Sequence, residues 1–334
     1  MSVAGSFVLL SLILMTCGCA APQNAAGPAC SLPLDRAIIC TEQSNEHIVI
    51  MAADKDWSTP ESTLWAWDPA ADPGVKKEHK RWFNNPSECK VVRKGTGVLM
   101  TASGGAVALL DIPAGRVLFY AKAPKNPHSA ELLPDGNIVS ASSTGSALAL
   151  YCVPEKNLTP GYSGPPHALY PLYDAHGCVW DKTQQLLWAA GGKELAAFEY
   201  NFSKKAPALK KKFSFKLDNR SFLKEEELKK IPEKWRFYFA GHDLFPEPGS
   251  HNLFLTGNFA ILKFDTRSRK FSLFNNHWGW KSISVNPATG ELIFQKPVTR
   301  WWSEHISQPD GRRRTRPGAR FYKGRWFSLN NFSY

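Results

Sequence analysis

Six stretches of this chain repeat one local pattern: a short apolar strand, a turn rich in Pro, Asp, Gly or Asn, and a second apolar strand. In three of them a histidine opens the first strand: His128 in NPHSAELLPDGNIVSAS, His176 in DAHGCVWDKTQQLLWAA and His242 in AGHDLFPEPGSHNLFLT. Ser87, in NPSECKVVRKGTGVLMTAS, and Lys281, in GWKSISVNPATGELIFQ, hold the same column in two more. The N-terminal copy, DRAIICTEQSNEHIVIMA, is the weakest. A unit this short cannot bury its own apolar face, so neighbouring units must stack into a solenoid or a propeller.

The column recurs after 41, 48, 66 and 39 residues, and a four-stranded propeller blade takes about 40 to 50. Inside the blades, LLDIPAGRVLFYA (109–121) and LKFDTRSRKFSLF (262–274) join two alternating apolar strands through an Asp-containing turn, as the outer hairpin of a blade would. Helical periodicity is nearly absent. These features predict an all-β chain with a single six-bladed propeller over residues 35–334. The long interval holds DNRSFLKEEELKKIPEKW (218–235), where Asp218 or Ser221 can cap a helix that Pro232 ends or kinks. It reads as a helical insertion between the fourth and fifth blades, beside one mouth of the propeller. The C-terminal strand RFYKGRWFSLN (320–330) is expected to pair with the N-terminal blade and close the ring.

Residues 1–19 read as a targeting segment. Phe7–Met15 forms a nine-residue apolar core, far short of the roughly 20 residues of a membrane-spanning helix. The stretch Leu14-Met15-Thr16-Cys17-Gly18-Cys19-Ala20 resembles the lipobox of bacterial lipoproteins, with Cys19 the better lipidation site, although no Lys or Arg precedes the core. Cleavage by the general signal peptidase is the other reading, giving a soluble secreted protein. Residues 20–34, rich in Ala, Pro and Gly, read as a flexible tether. The protein is thus expected at the bacterial cell envelope, lipid-anchored or else periplasmic or secreted, touching the membrane through the anchor alone.

All seven cysteines lie between positions 17 and 178, and none forms a CxxC pair. Cys30 with Cys40 is sterically possible as a disulfide, and buried free thiols are the equal alternative. The formal charge of +12 concentrates in KKAPALKKKFSFK (204–216) and GRRRTRPGARFYKGR (311–325). Such runs are either solvated loops or attractors of anionic polysaccharide or lipid. No nucleic-acid-binding motif accompanies them, so nucleic acid is not an expected partner.

Because the first strand of each blade lines the channel, residues in one column form a ring around the axis. His128, His176 and His242 would then converge with Lys281 and Ser87. Three neutral imidazoles can hold a divalent metal such as Mn, Ca or Zn, which would polarise a carboxylate and acidify a C–H or a water. Without a metal, the same ring with Lys281 makes an electropositive well for a uronate, sulfate or phosphate. A third reading has each histidine merely capping its own blade. Among the other histidines, His277 is the first to be expected beside the ring, while His79, in KKEHKR, reads as solvated. Glu131, Asp174, Asp243 and Glu42 fall near first-strand starts without forming an evident acid–base pair. No catalytic residue is assigned, since no GxSxG elbow, P-loop or dinucleotide fingerprint occurs.

Twelve tryptophans are present. Trp65, Trp67 and Trp188 lie on alternating strands and are expected to pack between blades. Trp278, Trp280, Trp301 and Trp302 lie near turns of the last blade, and Trp280, Trp301 and Trp302 offer stacking faces for sugar rings.

The segments TASGGAVALLDI, NPHSAELLPDGNIVSASSTG and LWAWDP resemble a bacterial family of exported β-propeller proteins of unknown function, from about residue 36 to the C-terminus. That resemblance implies the fold and export. A looser similarity runs to oligogalacturonate-lyase-type propellers, which hold an axial divalent metal with several histidines; onto it only His128, His176 and His242 carry over. The six repeats here depart from the seven blades of that group. The expected activity is binding of a glycan or other anionic ligand at the axial mouth by a monomer, either as a metal-dependent lyase or as a non-catalytic binding or scaffold protein.

Overall fold

The computed structural model describes Met1 and residues 36–154 and 161–334. Residues 2–19 of the leader, Cys19 and Cys30, and the whole tether lie outside the described residues. From residue 36 onward the described residues form six antiparallel sheets of four strands each, arranged as the blades of a propeller. Five blades are continuous in sequence: β4–β7 (Pro86–Lys122), β8–β11 (Pro127–Pro171), β12–β15 (Gly177–Lys216), β16–β19 (Asp243–Asn275) and β20–β23 (Ser282–Thr315).

The remaining blade, the first in chain order, closes the ring. Its order is β24 (Phe321–Trp326), β1 (Ala37–Glu42), β2 (His47–Ala52) and β3 (Thr63–Trp67), so the C-terminal strand is innermost and pairs antiparallel with β1. This closure was expected, but it corrects the alignment of the N-terminal repeat. Ala37–Glu42 supplies the second strand of its blade, and the residue that completes the column is Tyr322. The two hairpins expected at 109–121 and 262–274 are β6 (Ala106–Asp111) with β7 (Arg116–Lys122) and β18 (Ile261–Asp265) with β19 (Lys270–Asn275).

Apolar residues of adjacent blades interlock, as their strands are buried on both faces. Trp67 meets Phe83 edge-on at 5.4 Å between the closing blade and the next, and Trp188 meets Phe264 at 4.9 Å between the fourth and fifth. The helical insertion consists of short turns, Asn219–Ser221, α1 (Glu225–Leu228) and α2 (Glu233–Arg236). Asp218 caps the first turn by accepting from Arg220 N, and Pro232 is the cap of α2. Leu223, Leu228 and Ile231 anchor the insertion against Trp188, Leu244 and Leu262.

The exposed basic runs are largely paired within the fold. Lys211 bonds Glu194, Lys212 bonds Glu199, Arg312 bonds Asp310 and Arg314 bonds Glu291, while Arg320 lies over the Trp302 ring. Cys40, Cys89 and Cys178 are buried free thiols.

Candidate functional site

Two backbone devices aim the column residues at one mouth. In five blades the residue two positions before the column has a left-handed backbone: Asn85 (φ 55°), Asn126 (φ 58°), Asp174 (φ 51°), Ala240 (φ 52°) and Gly279 (φ 72°). Asn, Asp and Gly tolerate this region, whereas Ala240 bears its steric cost. The chain then enters the inner strand with a pairing shift at Ser87 and at His128. His176, His242 and Lys281 instead donate their N–H to the carbonyls of Ala190, Thr256 and Gln295, just ahead of the regular ladder. Such bulges turn a side chain out of the alternation, here toward the axial mouth.

The result is a cavity of about 350 Å³ lined by His128, His176, His242, Lys281, Tyr322 and Trp301, with the amides of Gln43, Asn85 and Asn126 at its wall. The rings of His128 and His176 stack at 4.6 Å and 15°, and His176 meets His242 edge-on at 5.5 Å. Tyr322 Oη lies 3.1 Å from His128 Nδ1. His242 Nε2 lies 2.6 Å from Asn258 Oδ1 and 2.8 Å from Lys281 Nζ. Next to His176 the backbone of the fifth blade comes so close that a Cβ on Gly177 would stand 2.4 Å from that of Leu244.

His176 has its tautomer fixed. Its Nδ1 is 2.9 Å from the carbonyl oxygen of Asp174, which can only accept, so Nδ1 carries the proton and Nε2 is bare in the neutral ring. The Asp174 carboxylate lies 3.3 Å from the same nitrogen and accepts in turn from Tyr238 Oη. Tyr238 follows the helical insertion, which thereby reaches the site through Asp174.

Electrostatics hold the imidazoles neutral. Burial pushes His128 well below the usual imidazole range, reinforced by His176 and Lys323. His242 is likewise pushed well down, by burial and then by Lys281. Burial also lowers His176, against the opposing pull of Asp174. Lys281 is lowered to about 8 by burial and by the Lys323 charge. No carboxylate lines the cavity among the described residues.

Beneath this layer a balanced ionic plug fills the channel. Side chains alternate along a strand, so Glu88 and Lys90 of β4 both face the axis, as do Lys323 and Arg325 of β24. Arg325 bonds Glu88 and Asp243 in two-pronged fashion at 2.7–3.0 Å. Lys323 reaches Asp243 at 2.9 Å and Glu88 at 3.2 Å, and Lys90 reaches Glu131 at 2.8 Å. Burial alone would raise the two carboxyls of Glu88 and Asp243, but Arg325 and Lys323 hold both below their ordinary values. From the far side Tyr334 inserts its ring and donates to Glu131 at 2.6 Å.

Of the expected ligand-binding residues, Lys281 and Trp301 are at the cavity, with the Trp301 indole donating to Gln43 Oε1 at 3.0 Å. His277 and Trp280 are not. They line a separate cavity of about 210 Å³ with Phe274, Phe294 and Lys296, where Trp280 stacks on Phe294 at 3.6 Å. Left-handed Gly279 lies between His277 and the column, while Trp280, next to Lys281, is held in the other cavity by its stack on Phe294. Trp302 is engaged with Arg320 and is not a lining residue. Ser87 bonds Thr101 and the carbonyl of Pro127 and contributes structure only. His79, expected in solvent, stacks on Trp82 at 3.7 Å and bonds Tyr120. Glu42 caps the turn at Ser44 and Asn45.

A family model described as a family of unknown function, DUF6528, matches residues 2–334. The chain belongs to the DUF6528 family. Comparison of this DUF6528 propeller with curated proteins returns no match. Among solved structures it is similar to a putative 6-phosphogluconolactonase from Bacteroides uniformis, at 12% identity and TM-score 0.52, covering 85% of this chain and 82% of that one. It is also matched, at TM-score 0.42 and 10% identity, with hydrazine synthase of Kuenenia stuttgartiensis, over 69% of this chain and 65% of that one. At these identities the likeness concerns the fold.

Proposed function

We propose that this DUF6528 protein is an exported envelope propeller that binds an anionic group of a glycan or small acid at its axial mouth, acting as a binding protein. The observation that carries this reading is the cavity lining: three imidazoles and Lys281 converge there, and no carboxylate lines the cavity among the described residues. An entering carboxylate, sulfate or phosphate would meet the Lys281 amine and would favour protonation of the imidazoles, turning their bare nitrogens into donors. Trp301, 43% exposed, offers a ring face at the rim, and the amides of Asn85 and Asn126 suit hydroxyl groups. Export rests on the leader at residues 1–19, with Cys19 as the anchor point.

The donor atoms fit an anion better than a divalent metal. His242 Nε2 is engaged by Asn258 and Lys281, its Nδ1 is buried away from any partner, and an amine stands where a metal would need lone pairs. Among the described residues no group of three His, Cys, Asp or Glu is placed to hold one ion. One observation favours catalysis as a second reading. Asp174 and Tyr238 orient His176 with its Nε2 bare, which is the arrangement of a general base.

Calorimetric titration with galacturonate and with galactose tests the proposal, using the wild type and His128→Ala/His176→Ala, alongside elemental analysis after incubation with manganese, calcium and zinc. Galacturonate should bind, the neutral sugar should not, and the double variant should lose about tenfold or more in affinity. Absence of binding by galacturonate, sulfate and phosphate would overturn the anion reading. A stoichiometric metal lost in the double variant would restore the metal-dependent lyase, and turnover of polygalacturonate would establish it.

A further inference from the structure

The axis contains three buried or largely buried lysines, and they are treated differently. Lys90 is paired with Glu131, and Lys323 with Glu88 and Asp243. Lys281 has no carboxylate within ion-pairing distance among the described residues. Its amine touches the neutral imidazole of His242 at 2.8 Å and opens onto the cavity. A desolvated amine beside another cation, in a pocket large enough for a small molecule, has the setting of an imine-forming lysine.

We propose that Lys281 forms a reversible imine with the carbonyl carbon of a 2-oxo acid bound in the axial cavity. The inference rests on the anion-binding reading above, because the ligand carboxylate is held by the imidazoles while its carbonyl meets the amine. The closeness of the groups favours a carboxylate attached directly to the reacting carbon: the His176 and His242 rings are in edge contact with centroids 5.5 Å apart, and Lys281 Nζ lies 2.8 Å from His242 Nε2.

The step balances without a further reagent. The Lys281 ammonium gives a proton to solvent, and Nζ attacks the carbonyl carbon, forming the C–N bond as the carbonyl electron pair moves to oxygen. That oxygen is protonated and leaves as water while nitrogen sheds its second proton, giving the C=N bond. No group is oxidised or reduced. The bare Nε2 of His176 provides a proton relay in the same cavity.

The test is trapping of the full-length protein with pyruvate and sodium cyanoborohydride at neutral pH, followed by intact mass and peptide mapping. A single reduced adduct on Lys281, absent from Lys281→Arg and suppressed by excess sulfate, is the expected result. Calorimetry of the wild type with pyruvate accompanies it and reads binding independently of adduct formation. Pyruvate binding without an adduct on Lys281 would overturn the imine while leaving the anion site standing. Adducts spread over surface lysines, equal in wild type and variant, would also overturn it. If pyruvate, galacturonate and phosphate all fail to bind, the reading of the site fails as well.

Discussion

His128 and His176, which open the inner strands of successive blades, stack face to face with ring centroids 4.6 Å apart and an interplanar angle of 15°. Two imidazolium rings could not share that geometry without strong repulsion, so the stack is a statement about charge. Both rings are held neutral, chiefly by burial. An anion between them and Lys281 would reverse the balance.

Affinity for galacturonate should therefore depend on pH. Lowered imidazole values in the free protein and raised ones in the complex mean that binding takes up protons. Affinity should rise as pH falls from about 8 toward 6 and decline above the Lys281 value of about 8. Calorimetry in buffers of different ionisation heat measures the uptake. The free protein should respond oppositely. The unfolded chain gains protons on His128, His176 and His242 below about pH 6.5, whereas the folded chain does not, so stability should fall as pH drops through that region.

The ionic plug should be costly to break from one side. Arg325→Met leaves Glu88 and Asp243 with Lys323 alone in a buried setting, and should destabilise the fold by about 3–5 kcal/mol. Urea unfolding measures the change. A triple replacement of Arg325, Glu88 and Asp243 by apolar residues of similar volume should cost less than Arg325→Met.

Tyr334 closes the far end of the channel. Its hydroxyl donates to Glu131 and accepts from Leu132 N, so Tyr334→Phe should cost about 1–3 kcal/mol without altering affinity at the opposite mouth. Paired unfolding and titration experiments check both halves of the statement.

Thiol reactivity should follow burial. Cys40, Cys89 and Cys178 are enclosed, and burial pushes the Cys178 thiol up to about 12. Only Cys152 among these four is partly exposed. Brief treatment of the native protein with an alkylating reagent, read by peptide mapping, should label Cys152 ahead of the other three.

The ring of column residues was legible because one backbone event repeats. Asn-Pro precedes Ser87 and His128, and other residues adopt the same left-handed turn before His176, His242 and Lys281. Tyr322 was not legible, since its blade is assembled from both chain ends and the local repeat at 35–52 imitates a complete inner hairpin. The same displacement hid Lys323 and Arg325, and with them the partners of Glu88 and Asp243. His277 and Trp280 are near Lys281 in sequence, but left-handed Gly279 stands between His277 and the column and Trp280 packs on Phe294 instead of entering the axis. Asp174 gave no signal of its role, because its link to Tyr238 spans the whole insertion.

The imidazole nitrogen spectrum of histidine-labelled protein at pH 7, recorded before and after saturation with galacturonate, reads the charge of the axial ring itself. In the free protein His128, His176 and His242 should be neutral, with His176 protonated on Nδ1. Galacturonate should then shift at least one of these three toward the imidazolium form while His79, His277 and His305 stay unchanged. Axial histidines already charged without ligand, or unmoved while galacturonate binds, would contradict the anion-binding reading of the cavity.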